Sequence, residues 1–286
     1  MEKLIIYAAL GYPRKTDIPA IPRTWDELIE SAVGAREAGA SIVHFHGPHD
    51  DQGRIVPDGW GRLAEEIRKR CDVLIDFGQA GAPLDQRKGL LQLGPGKPDF
   101  MAVSLTGHDY RRHSEERGDY DVYYEHPRKE LEEYARVLPA AGVKPAWEIW
   151  HLGGIWNFNY LVDRGLIGKP YWLNLFFGTP GGVWSPPTVA EINHRIANLP
   201  PDAHYLIAPR GTAGPQGQTR MLALAVLQGG HVRLGTQDIA YYGDGVPAQS
   251  NAQIVARMAR IATELGRDVA TPDDARRILG VPKRSA

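Results

Sequence analysis

One rhythm limits what this chain can fold into: a short apolar or β-branched run, a loop holding glycine, proline or polar residues, then an amphipathic stretch. It recurs eight times, with the runs KLIIYAAL (3–10), SIVHFHG (41–47), DVLIDFG (72–78), DFMAVSL (99–105), KPAWEIWH (144–151), YWLNLFFG (171–178), AHYLIAPRG (203–211) and HVRLGTQD (231–238). Strands separated by helical segments pair in parallel through right-handed crossovers. Among the helical segments, TWDELIESAVGAREAGA has Thr24 as its expected N-cap with Glu27 three residues on. GWGRLAEEIRKRC, PRKELEEYARVLPAAG, TVAEINHRIANLP, QTRMLALAVLQGG and NAQIVARMARIATELG repeat the pattern, whereas DQRKGLLQLG and NFNYLVDRGLIG are short and broken by glycine. Eight such units in 286 residues predict an α/β fold, a (β/α)8 TIM barrel spanning 1–286 as a single domain with a C-terminal helical extension, over an open doubly wound sheet.

Charge narrows the partners. With a formal net charge of -1 and no block of like charges, the chain lacks the footprint of a nucleic-acid or polybasic membrane binder, so a small molecule is expected. A lone cysteine, Cys71, excludes an intrachain disulfide, and the N-terminal apolar run is too short for a signal or membrane span. A cytoplasmic protein is expected. Cys71 lies between a helical and a strand segment with no activating neighbour, which reads as a packing thiol.

Barrel active sites lie at the C-terminal ends of the strands, and chemical residues collect there: His44 and His46 on the second run, Asp76 on the third, Glu148 and His151 on the fifth, Arg210 on the seventh, and Arg233, Gln237 and Asp238 on the eighth. Two positions apart, His44 and His46 face the same side of a strand. Such a pair suits a divalent metal, zinc first, and equally one hydrogen-bonded and one solvated imidazole; His49 beyond it reads as loop surface. On the eighth run His231, Arg233, Gly235 and Gln237 share a face, and an inward arginine needs a carboxylate, Glu148 or Asp238. An arginine bridging both would hold Asp238 and tune it as a general base; the same pattern serves as a buried ion pair with no catalytic task. GTPGGVWSPP (178–187) offers glycine amides to an anion or forms a tight turn, and is not a Walker loop. Trp147, Trp150, Trp156, Phe158 and Trp184 are expected to shape an apolar pocket around the mouth or, equally, to pack between subunits or beneath loops.

In order and spacing, AGASIVHFH, GTPGG, GGHVRLGTQD and the stretch from GVPAQSNAQIVARMARIATELG to DDARRILG resemble the β-keto acid cleavage enzymes along nearly the whole chain. The resemblance implies a zinc-dependent barrel, a homo-oligomer and specifically a tetramer. Its substrate is a β-keto acid and its co-substrate acetyl-CoA, and a retro-Claisen cleavage yields acetoacetate and a new CoA thioester. It assigns His44 and His46 as zinc ligands, Asp238 as the base, and Arg233 and Glu148 as the residues that orient and activate it. Arg14, Asp76, Gln79, Ser104, Thr106, Gly181 and Gly182 are the expected substrate contacts. The chain departs from the family where Gln237 replaces a zinc-binding glutamate and Pro48 an arginine. GYPRKTDIPAIPRT carries no glutamate, and DFGQAG replaces a serine followed by a Gly-Gly pair. These departures admit a CoA-independent, metal-assisted cleavage (retro-aldol or β-diketone hydrolysis) or a non-catalytic binding barrel. Retention of His44, His46, Glu148, Arg233 and Asp238 together opposes the last.

Overall fold

A computed structural model describes residues 1–114, 117–179 and 185–284. Eight parallel strands close into a barrel: β1 (Ile6–Gly11), β2 (Ile42–Phe45), β3 (Leu74–Phe77), β4 (Phe100–Ser104), β5 (Lys144–Ile149), β6 (Trp172–Phe177), β7 (His204–Pro209) and β8 (His231–Leu234). Seven fall within the expected runs, and β1 extends one residue past its run, to Gly11. The strands are almost wholly buried because both faces are covered. Alternation then sorts the side chains. Ile6, Ala8, Val43, Ile75 and Trp147 pack outward against helices, while Ile5, Tyr7, Ile42, Leu74, Ala146 and Leu206 fill the interior.

Around the barrel run α1 (Trp25–Glu37), α2 (Pro57–Arg70), α3 (Leu84–Arg87), α4 (Arg128–Ala140), α5 (Gly153–Asp163), α6 (Val189–Ala197), α7 (Gly214–Leu227) and α8 (Asn251–Glu264). Thr24 caps α1 as expected, its hydroxyl accepting from the Glu27 amide at 3.1 Å. The third crossover helix is the weakest, a four-residue turn that tightens into a 3-10 turn at Lys88–Gln92. A further helix, α9 (Pro272–Leu279), opens with a Thr271/Asp274 capping box and buries Ala275, Ile278 and Leu279 in the interior cluster. It plugs the N-terminal end of the barrel beside the Leu4–Val269 bridge, which leaves the C-terminal end as the opening.

Three features depart from expectation. Between β4 and α4 the chain forms an antiparallel hairpin, His108–Ser114 with Gly118–Tyr124, a segment in which the eightfold rhythm predicts no strand. The eighth strand stops at Leu234, because Gly235, at φ 137, passes so close to Ala9 that a Cβ would lie 2.3 Å from its carbonyl oxygen. Of the aromatics expected at the mouth, Trp150 alone lines the opening among the described residues. Trp147 and Phe158 are packed under helices, Trp156 is exposed, and Trp184 lies outside the described residues. Cys71 ends α2 half-buried, and burial raises its thiol pKa, as a packing role requires. No helix among the described residues is long and apolar enough to cross a membrane.

Candidate active site

Strand register assembles the site. In the ladders Tyr7 pairs with Arg233, Ala9 with His44, His44 with Asp76, and Ser104 with Glu148, so inward groups from several strands meet in one upper layer. Above them lies a cavity of about 590 Å³ whose lining includes His44, His46, Gln237, Glu148, Trp150 and Arg233.

The His44 ring is anchored from below. Its Nδ1 is 2.5 Å from Asp76 Oδ2 and 2.9 Å from the Tyr7 hydroxyl, which itself donates to Asp76. His44 Nε2, buried and facing away from this pair, has no partner. Burial lowers the His44 pKa well below the usual imidazole range, so Nε2 presents a lone pair. His46 follows the end of β2, its amide held by the Gly11 carbonyl at 2.8 Å. Its Nδ1 lies 3.2 Å from Gln79 Oε1 and its Nε2 3.2 Å from the Gln237 amide nitrogen. The ring fits only because residue 78 is glycine: a Cβ there would lie 2.4 Å from the imidazole. Gln237, past the end of β8, is positioned by its amide on the Ala9 carbonyl at 3.1 Å, and its buried Oε1 is without a partner.

Those residues fit a metal. Two imidazole nitrogens and an amide oxygen share one wall, and two of the three are buried acceptors left unsatisfied. Asp76 adds to the fit, since burial pushes its carboxyl up to about 7, and a cation on His44 would restore its charge. Another His/carboxylate group, Glu2, His204 and His231, lies at the opposite end of the barrel. There the Ile5 amide donates to His231 Nδ1 at 3.1 Å, so the His231 proton sits on Nε2, the atom facing Glu2 at 3.5 Å. A nitrogen that carries the ring proton offers no lone pair, and that group reads as a hydrogen-bonded cluster.

Arg233, which lines the same cavity, grips Asp238 with two hydrogen bonds, Nε to Oδ2 at 2.9 Å and Nη2 to Oδ1 at 3.2 Å. Its Nη1 lies 4.0 Å from Glu148, and Arg210 stands 3.6 Å from Asp238. Burial alone would raise the Asp238 pKa, but Arg233 and then Arg210 outweigh it and hold the carboxyl below its ordinary value. Glu148 is less well compensated: burial raises its pKa to about 7 against the pull of Arg233. The arginine thus sits between two carboxylates, closer to one, as the alternation of the eighth run implied.

The expected substrate contacts divide. Arg14 and Gln79 line the cavity. Asp76 lies beneath His44 instead of at the wall, and Ser104 is buried with its hydroxyl donating to the Thr106 carbonyl at 2.9 Å, so the register that builds the site turns these groups inward. Thr106 is buried as well, and Gly181 and Gly182 lie outside the described residues. His49, read as loop surface, is turned into the cavity by the Pro48 turn, whose carbonyl accepts from the Val56 amide at 3.1 Å and the Trp60 indole at 3.0 Å. Tyr7, Tyr12 and Tyr124 were not singled out from sequence. Tyr7 carried a signal, alternation with Ile5 on an inward strand face; Tyr124 depends on the hairpin.

A profile of the beta-keto acid cleavage enzymes matches residues 3–281. The chain belongs to the β-keto acid cleavage enzyme family. It is 30% identical to the 3-keto-5-aminohexanoate cleavage enzyme of Acetoanaerobium sticklandii, over 99% of this chain and 100% of that protein. It is 32% identical to the enzyme of the same name from Fusobacterium nucleatum, over 99% and 100%. With the 3-oxoadipate:acetyl-CoA acetyltransferase of Cupriavidus necator it shares 30% identity over 94% and 91%. The fold is similar to that of apo ObcA, with a TM-score of 0.70, 17% identity and coverage of 92% of this chain and 66% of that one. As a β-keto acid cleavage enzyme, the protein breaks carbon–carbon bonds of keto acids. Within that family its wall of two histidines and a glutamine is a neutral donor set.

Proposed function

We propose that this chain is a zinc-dependent β-keto acid cleavage enzyme that uses acetyl-CoA as co-substrate and releases acetoacetate with a new acyl-CoA. One observation carries the reading. Around a single cavity lined by His44, His46, Gln237 and Arg233, the buried acceptors His44 Nε2 and Gln237 Oε1 are left without partners, and Arg233 hydrogen-bonds the buried carboxylate of Asp238. When bound by His44, His46 and Gln237, zinc supplies Lewis-acid polarisation of the keto oxygen.

Asp238 accepts the proton from the carbon between keto group and carboxylate. Held by both nitrogens of one guanidinium edge, it is aimed but weakly basic. Glu148 on the other side of Arg233 shares that positive charge and lets Asp238 recover basicity as the proton moves. The carbanion attacks the acetyl-CoA carbonyl and expels CoA thiolate. That thiolate attacks the original keto carbon, the bond from this carbon to the carboxylate-bearing fragment breaks, and acetoacetate leaves with a proton returned from Asp238. No enzyme nucleophile is required. The reading takes the chain as cytoplasmic and as a homo-oligomer, a tetramer by likeness to its family.

Metal analysis and product assay test it together. We expect one zinc per chain, loss of turnover on chelation, and β-keto acid cleavage only when acetyl-CoA is present. Metal-free protein with full activity, or turnover without the thioester, would overturn it.

A further inference from the structure

Gln79 and His49 line the cavity, have no task in the reaction above, and are bonded to one another. Gln79 Nε2 lies 2.7 Å from His49 Nε2, and Gln79 Oε1 lies 3.2 Å from His46 Nδ1. The Gln237 amide nitrogen lies 3.2 Å from His46 Nε2, and because an amide NH2 only donates, that ring nitrogen accepts and the proton of His46 sits on Nδ1. Gln79 Oε1 accepts from this Nδ1–H, so the NH2 of Gln79 donates to His49 Nε2 and the proton of His49 sits on Nδ1.

The backbone adds an independent sign. Gln79 has φ 68, one of two non-glycine residues with positive φ among those described. A side chain kept where glycine would be relaxed is characteristic of a group held for a task. Both members of the path are held by their surroundings. The Ala82 amide closes a turn on the Gln79 carbonyl at 2.9 Å and Arg87 Nη2 binds the Gly78 carbonyl at 3.0 Å, while the His49 ring stands edge-on to Trp60 with centroids 6.0 Å apart.

We propose that His49 and Gln79 form a one-way hydrogen-bond wire to His46, fixing His46 as the Nδ1–H tautomer and leaving its Nε2 unprotonated for a metal ion. The two are positioning residues acting through His46. The wire stands on this geometry, whereas its use for zinc rests on the function proposed above.

Long-range 1H–15N spectra of the imidazoles in metal-free protein read the tautomer, and chelator competition reads the zinc affinity. In the wild type His46 and His49 should both be Nδ1–H. Gln79→Gly relaxes the positive φ and should keep the fold by circular dichroism, yet leave His46 a tautomer mixture and weaken zinc ten- to a hundredfold. Gln79→Glu, which preserves an acceptor toward His46, should restore most of both. An Nε2–H tautomer in the wild type, or a Gln79→Gly protein with unchanged tautomer and zinc constant, would overturn the wire. Wild-type protein with the expected tautomer that binds no zinc would support the wire and overturn the metal assignment.

Discussion

Asp238 is the side chain on which the chemistry turns, and its environment separates its role from that of the metal wall. Both its oxygens accept from Arg233, and its interaction with His44 is electrostatic, without a hydrogen bond. Asp238→Asn should therefore lower kcat by roughly a hundred- to ten-thousandfold, the range for a lost general base, while zinc content stays at the wild-type level. Parallel loss of metal and activity would contradict this division. His44, His46 and Arg233 were legible because strand alternation makes residues two apart share a face, a rule local to one segment. Asp76 was legible as a site residue but not as the support of His44, since that needs the register between β2 and β3. His49 was misread for a similar reason: its direction is set by the Pro48 turn and by Trp60 of α2, contacts that alternation does not encode.

At the scale of elements, the loop after β3 is the part on which the metal wall depends. Gly78 gives way to the His46 ring, so Gly78→Ala would drive a Cβ into it. The expected result is a folded barrel with zinc bound at least tenfold more weakly, checked by chelator competition beside a circular dichroism spectrum. Unchanged affinity would show that the ring has room to move. All eight strands were readable because each is buried on both faces and reads as a continuous apolar run. The hairpin after β4 escaped for the opposite reason. Its second strand, Gly118–Tyr124, alternates half-buried and exposed residues and interleaves Asp119 and Asp121 with tyrosine and valine, so it lacks the continuous apolar run that marks the barrel strands. Its last residue nonetheless matters to the site, because the Tyr124 ring packs against Gly81, where a Cβ would lie 2.6 Å away, and faces His108 at 5.0 Å between centroids.

The whole molecule stays open at one end and sealed at the other, and the seal carries a pH signature. Burial pushes the His231 pKa down to about 4 at the plugged end and His126 to about 4 near the hairpin. The unfolded chain protonates these rings near 6.5, so it binds more protons than the native state between the two values. Their contribution to stability is therefore complete above pH ~6.5 and is lost as pH falls toward 4. For His231 alone the loss at pH 5 is on the order of 2 kcal/mol. Urea unfolding at pH 7.5 and pH 5 should show the wild type losing more than His231→Gln; equal losses would mean the native ring titrates freely. At this scale the barrel class could be read from the eightfold rhythm, whereas the plug formed by α9 could not, because an amphipathic helix does not declare which surface it covers.

The central claim is that the acetyl group of acetyl-CoA ends in acetoacetate while the substrate's acyl part takes its place on CoA. The most direct measurement supplies acetyl-CoA labelled with carbon-13 in both acetyl carbons to the zinc-loaded enzyme and a β-keto acid, and follows the label by NMR. The account predicts label at carbons 3 and 4 of acetoacetate and none in the acyl group of the new thioester. Unlabelled cleavage products, or label in the new acyl-CoA, would contradict it.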